Sequence, residues 1–251
     1  MFVKVNLIAV NPFFDAFSHS DMLGRLIFLG LIAISIITWV IVLHKAWLTY
    51  ISRKNSLQFE GFLSGNKGNI LAIDHSHLHD SALNPFSQLY HVLKKHTVDL
   101  LNKNRRFGEK QQLQNEEVIA SYLSPSDIDI VESHLMTTIA SQTKLLEKNL
   151  FILSTIVTLA PFLGLLGTVW GILTTFSQLQ TQVGGSTNQM VLGGLSLALA
   201  TTVLGLVDAI PALIGYNYLK NSIRDFQTEM ECFSNEILAS LEMQYRKVDV
   251  Q

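Results

Sequence analysis

The chain has 251 residues, 48% of them hydrophobic and only 15% charged, with a formal net charge of -2. An ordinary soluble domain carries about 25% charged residues, and a near-neutral chain without a basic or acidic tail lacks the positive surface that phosphate backbones require, so nucleic acid is not an expected partner. The single cysteine, Cys232, rules out an internal disulfide and a cysteine-only metal site.

Residues 1–25 form an N-terminal segment with two cations, Lys4 and Arg25. From Leu26 to Leu43 no residue is charged, and a hydrocarbon layer of about 30 Å needs about 20 predominantly apolar helical residues. Residues 26–43 are therefore a predicted first crossing. It begins too late and is too long for an ordinary signal peptide. Trp39, Trp47 and Tyr50 stand near its far end, where amphipathic rings favour a membrane interface.

Residues 44–149 carry twelve Lys and Arg and form a predicted helical region on one side of the membrane. The run His75, His77, His79 sits among Gly65, Gly68 and Asn84-Pro85. Such a tract is a weak metal signal, and without a second ligand cluster a loop is the plainer reading. Lys94-Lys95 and Lys103 with Arg105-Arg106 suit a solvated helix face near anionic lipid heads. Ser124-Pro125-Ser126-Asp127 starts a helix, with Ser124 as N-cap and Pro125 at its first position. No Pro or Gly follows until Pro161, which predicts one helix from Pro125 to Phe176, about 78 Å long.

From Asn149 to Val207 there is again no charge, a tract of 59 residues that suits two crossings. They are predicted at 150–176 and 191–219. Residues 177–190 contain Gly184-Gly185-Ser186-Thr187-Asn188 as a turn. The tail, 220–251, has Ile223, Phe226, Met230, Phe233, Ile237, Leu241 and Tyr245 on one helical stripe. Lys and Arg number twelve and four in the 44–149 and 220–251 segments, against two and none in 1–25 and 177–190. That places the N-terminus outside and the C-terminus inside.

Small and hydroxyl residues crowd the second and third crossings. Gly164, Gly167, Gly171, Gly194 and Gly205 predict close helix packing, and a packed seam can also hold water beside its threonines. Pro161 and Pro211 are expected to kink their helices and free backbone carbonyls. Asp208 is the one acid within the third crossing. A charge there costs about 2.5–3.5 kcal/mol on the translocon scale, which makes intramembrane acids functional candidates. Leu197, Thr201, Gly205, Asp208 and Ala212 share one stripe, suited to a pore or to a partner helix. A structural Asp bonded to a neighbouring helix and a proton carrier both remain open.

At this point the residues become specific. Ala160-Pro161-Phe162-Leu163-Gly164-Leu165-Leu166-Gly167-Thr168-Val169-Trp170-Gly171-Ile172 resembles the second-helix signature of the ExbB/TolQ proton-channel family, related to the flagellar stator protein MotA. The segment from Gly194 to Asn217 resembles its third-helix signature. The resemblance is strong over 150–220 and topological over 1–120. It implies an all-α integral membrane protein with three transmembrane helices and long cytoplasmic helical extensions, forming a pentamer around a central pore in the bacterial inner membrane, N-terminus periplasmic. It implies two copies of an ExbD/TolR-type single-crossing partner with an essential Asp, a TonB/TolA-type protein beyond it, and no cofactor. Thr168 and Thr202 match the family's pore threonines, and Thr201 and Asp208 join them as proton-path candidates. The family has a Glu where this chain has Leu197. Asp208 lies eleven residues later, about 20° away on the same stripe and about 16 Å along the axis. Either the acid has moved along the pore, or the partner's Asp alone carries the proton, or conduction is lost.

The implied function is a proton-channel subunit coupling the proton motive force to envelope work, through Tol–Pal function or TonB-dependent uptake. The alternatives are a non-conducting scaffold, a stator-like motor subunit and an intramembrane enzyme. The last is disfavoured because no nucleophile–base–acid set accompanies Asp208.

Overall fold

Ser124 begins a helix for a local reason. Its hydroxyl accepts from the Asp127 backbone N–H at 3.2 Å, and its own N–H donates back to the Asp127 carboxylate at 3.0 Å, a reciprocal cap that satisfies two otherwise orphaned donors. Asn104 adds a bond to the same carboxylate. These contacts hold Asp127 below the ordinary carboxylate range against an opposing burial effect, which is the largest single influence.

The computed structural model describes residues 17, 21–65, 71, 84–111, 122–181 and 187–245. Among these it contains α1 (Met22–Gly65), α2 (Pro85–Gln111), α3 (Pro125–Glu147), α4 (Leu150–Thr181) and α5 (Thr187–Tyr245), and no β-strand. Three helices are long and apolar enough to cross a membrane: α1, α4 over Leu150–Ser177, and α5 from Gly194. The chain divides into two units. One joins the residues up to His44 with Asn149–Leu219, and the other joins Lys45–Lys148 with the chain from Lys220.

Two boundaries differ from the sequence expectation. The predicted single helix from Pro125 to Phe176 is broken at Lys148 and Asn149, where Asn149 has a φ of 71°. Asparagine tolerates the left-handed region that ends many helices, so a search for Pro and Gly alone passes over it. In contrast, the third crossing and the tail are one helix, α5, of 59 residues. The predicted turn at 177–190 is shortened by helix on both sides. Pro161 and Pro211 both lie inside unbroken helices.

In the first unit, α1 up to His44, α4 and α5 up to Leu219 pack over a small core of Ile156, Ala160, Ala209 and Ala212, flanked by Ile34, Ile152 and Val157. Leu29, Ile36, Trp39, Val40, Phe162, Val169, Leu199 and Ile214 are exposed, the outward apolar surface that a lipid environment requires.

In the second unit, the stripe predicted for the tail is the buried face of α5: Ile223, Phe226, Met230, Phe233, Ile237 and Leu241 are all buried. Phe233 meets Phe59 of α1, which in turn packs on Tyr90 of α2, and Leu89 and Leu93 of α2 are buried as well. Phe86 lies nearly parallel to Phe233, ring centroids 4.3 Å apart, and also stacks on Phe226. Burial pushes the Tyr90 phenol up to about 12. Arg53 pairs with both oxygens of Glu229. Lys45 is buried and donates to the carbonyls of Leu146 at 3.0 Å and Leu145 at 3.4 Å. It thereby completes the C-terminal turn of α3, whose last carbonyls have no partner within the helix. Burial, helped by Lys148, lowers its amine from the usual lysine range. The His75, His77, His79 run lies outside the described residues, and among those described no cluster of three or more His, Cys, Asp or Glu is placed to hold a metal.

His96 of α2 stacks on His134 of α3, ring centroids 3.8 Å apart and planes within 5°. Burial first, then His134 and Lys95, lower the His96 pKa, with Asp99 opposing. The unfolded chain therefore takes up a proton more readily than the folded one as pH falls through and below the ordinary histidine value of about 6.5. The α2–α3 pairing is expected to loosen on that acid limb. Amide hydrogen exchange in α2, compared with that in His96→Gln, measures it: the wild type loses protection as pH falls, while the variant's protection stays flat over the same range.

Candidate functional site

The second and third crossings touch along glycines. A Cβ on Gly164 would lie 2.9 Å from the Thr201 carbonyl oxygen and 3.1 Å from the Thr202 Cα. One on Gly205 would lie 2.6 Å from the Ala160 carbonyl oxygen. One on Gly171 would meet Ala198 at 3.0 Å and the Gly194 carbonyl at 3.1 Å, and one on Gly167 would fall on the Thr201 hydroxyl. Gly194 in turn leaves room for the Thr175 hydroxyl, which donates to the Gly171 carbonyl at 2.7 Å. Backbones approach this closely only where side chains are missing, and dispersion between them is what holds helices together in lipid.

The four candidate proton-path residues are not all on one surface. Thr201 is fully buried and its hydroxyl donates to the Ala198 carbonyl at 2.9 Å. Asp208 is 5% exposed, and Gly205 and Ala212 on the same stripe are buried too. These residues lie against the chain's own helices: Gly205 abuts Ala160 of α4, Ala212 joins the core flanked by Ile34 of α1, and Ser35 of α1 approaches the Asp208 carboxylate as a hydrogen-bond donor. Asp208 Oδ2 has no hydrogen-bond partner among the described residues.

Thr168 and Thr202 are only half-buried. The Thr202 hydroxyl donates across the seam to the Gly164 carbonyl at 3.1 Å, and Thr168, one turn further along α4, donates to the Leu165 carbonyl at 2.7 Å. Thr202 thus bonds across to α4 one turn from Thr168, and each hydroxyl keeps its lone pairs. The Leu197 side chain lies outside the described residues. Pro161 and Pro211 have no N–H, so the carbonyls of Val157 and Val207 lose their helical donors.

Three features escaped sequence reasoning. Ser35 and Thr38 are the only hydroxyl residues in 26–43 and stand three apart, a spacing that marks a polar strip on the first crossing and was the available signal. Thr175 was hidden among many threonines. Asp21 caps α1 through the Gly24 N–H at 3.0 Å and also accepts from the Trp170 indole at 2.7 Å. Nothing in the spacing of two residues so far apart announces that bond.

The sequence pattern of the MotA/TolQ/ExbB proton channel family matches residues 108–232, which take in all of α3 and α4 and most of α5. The chain is similar to the biopolymer transport protein ExbB of Aquifex aeolicus, 41% identical over 103 residues, which is 41% of this chain and 69% of that protein. It is also similar to the Tol-Pal system protein TolQ of Haemophilus influenzae, 28% identical over 92% of this chain and 94% of that protein. The ExbB of Salmonella typhimurium is likewise 28% identical, over 93% of this chain and 86% of that protein. With the glycine seam and the three apolar helices, these likenesses establish that the chain belongs to the MotA/TolQ/ExbB proton channel family.

Proposed function

We propose that this chain is the channel-forming subunit of an inner-membrane motor that couples the proton motive force to work on the cell envelope, of the kind served by TolQ in the Tol–Pal system or by ExbB in transport. Five copies surround a pore that holds the membrane helices of two single-crossing ExbD/TolR-type partners, with a TonB/TolA-type protein taking the output. The crossings are 26–43, 150–176 and 191–219, with the N-terminus periplasmic and the C-terminus cytoplasmic.

The observation that carries this reading is that Thr202, half-buried on α5, bonds to Gly164, one turn of α4 from the half-buried Thr168, on a chargeless, glycine-lined seam. Each hydroxyl donates to a backbone carbonyl and keeps lone pairs that can accept from a partner's protonated carboxyl, and it can bond the ionised form only by swinging off that carbonyl. At Gly164, Gly167, Gly171, Gly194 and Gly205 the two helices leave no room for even a methyl group. The relatives named for the two roles align with similar identity, so the proposal is for the task they share.

Co-purification with the single-crossing partner tests it, followed by subunit counting in the intact complex. A Cys at position 202 should cross-link to the partner's membrane helix. Thr202→Val should lower proton-driven activity at least about tenfold, in line with about 1.5–3 kcal/mol for a hydrogen bond to a charged group, while Thr202→Ser keeps it. A complex that forms normally but conducts no protons would make the chain a scaffold instead.

A further inference from the structure

Asp208 has no counter-charge on its neighbours. There is no charged residue between Arg25 and His44 on α1, between Lys148 and Asp208 on α4 and α5, or between Asp208 and Lys220. The other titratable groups on this part of α5 are Tyr216 and Tyr218, eight and ten residues further along. The carboxyl is nevertheless buried, with one oxygen unpartnered. An isolated ionised carboxylate is among the costliest groups to bury, whereas a neutral acid needs only a hydrogen-bond acceptor.

The surroundings supply an acceptor. Ser35 stands near the midpoint of the 26–43 crossing, and its hydroxyl serves either state of the acid, donating to a carboxylate or accepting from a carboxylic O–H. Thr38, one turn on, is already committed to the Ile34 carbonyl at 2.9 Å.

We propose that Asp208 and Ser35 form a proton-binding site inside the single subunit, between α1 and α5 and separate from the half-exposed Thr168 and Thr202. The ligand is a proton: it binds Oδ2 and leaves as an equal unit of positive charge, with no other bond made or broken. The inference rests on the reading of the chain as a proton-driven subunit. A merely structural Asp208 would bridge the two helices equally well as an amide.

Infrared difference spectroscopy on the full chain, in complex with its partner and reconstituted in lipid, tests the site directly. Subtracting Asp208→Asn from wild type cancels every other carboxyl, the partner's included. The expected remainder is a protonated-carboxyl C=O band that disappears reversibly as pH is raised. In Ser35→Ala the band should persist and move to higher frequency, because one hydrogen bond is lost. A band absent at every pH, a band that never titrates, or a band removed by sodium at constant pH would each overturn the proposal. If the band titrates while the intact complex does no proton-driven work, the proposed function fails and the site stands. If work proceeds without the band, the site fails and the function stands.

Discussion

Gly167→Ala is expected to destabilise the membrane unit by about 1–3 kcal/mol, the usual cost of forcing a methyl group into a packed contact, and Thr201→Gly in the same chain should restore part of it. The added methyl falls on the Thr201 hydroxyl and on its β- and γ-carbons; glycine removes all three, at a helix-propensity cost of about 1 kcal/mol. Gly205→Ala should cost at least as much but admit no such rescue. There the obstacle is the Ala160 carbonyl oxygen at 2.6 Å, which no side-chain substitution can take away. Unfolding of the lipid- or detergent-solubilised chain by increasing denaturant measures all three. If Gly167→Ala and Gly205→Ala respond alike to Thr201→Gly, the assigned register of the two helices is wrong.

Phe86→Ala is expected to cost about 3–5 kcal/mol, the range for deleting a fully buried aromatic side chain. The ring is 1% exposed and stacks on both Phe226 and Phe233, so its loss strips contacts from two aromatic neighbours at once. Phe86→Leu, which keeps much of the volume, should cost less than half as much. A reporter on the second unit, such as amide exchange in α2 and in residues 220–245 of α5, is the appropriate measurement. The effect is expected there, since Phe86, Phe226 and Phe233 all belong to the second unit.

The sequence was most legible where one physical constraint dominates a long run. Exclusion of charge over 26–43 and 149–207 located the apolar helices, because burying ions in hydrocarbon is costly whatever the fold. The three- and four-residue spacing from Ile223 to Leu241 named a buried face nearly residue by residue. Glycine crowding likewise pointed to a helix seam, as small side chains have little other use in lipid.

Legibility fell where the deciding partner is distant in the chain. Asn149 broke the expected long helix through a backbone conformation that its neighbours do not encode. Lys45 is one of the twelve cations counted over 44–149, yet it is buried against carbonyls of α3. Thr201 and Thr202 are adjacent and chemically identical, and only the angle between them decides that the first is enclosed while the second remains half open. Periodicity can assign residues to a stripe, but not say whether that stripe meets the same chain or another molecule.

The bond from Lys45 to the end of α3 also bears on the order of biosynthesis. Its two partners lie 100 and 101 positions apart, and the amine leaves the ribosome first. When the carbonyls of Leu145 and Leu146 emerge, the group that will quench them is already present, so the helix terminus need not wait for chain completion. A fragment starting downstream of α1 would carry α3 without that quencher, and its final turn would have to recruit water instead.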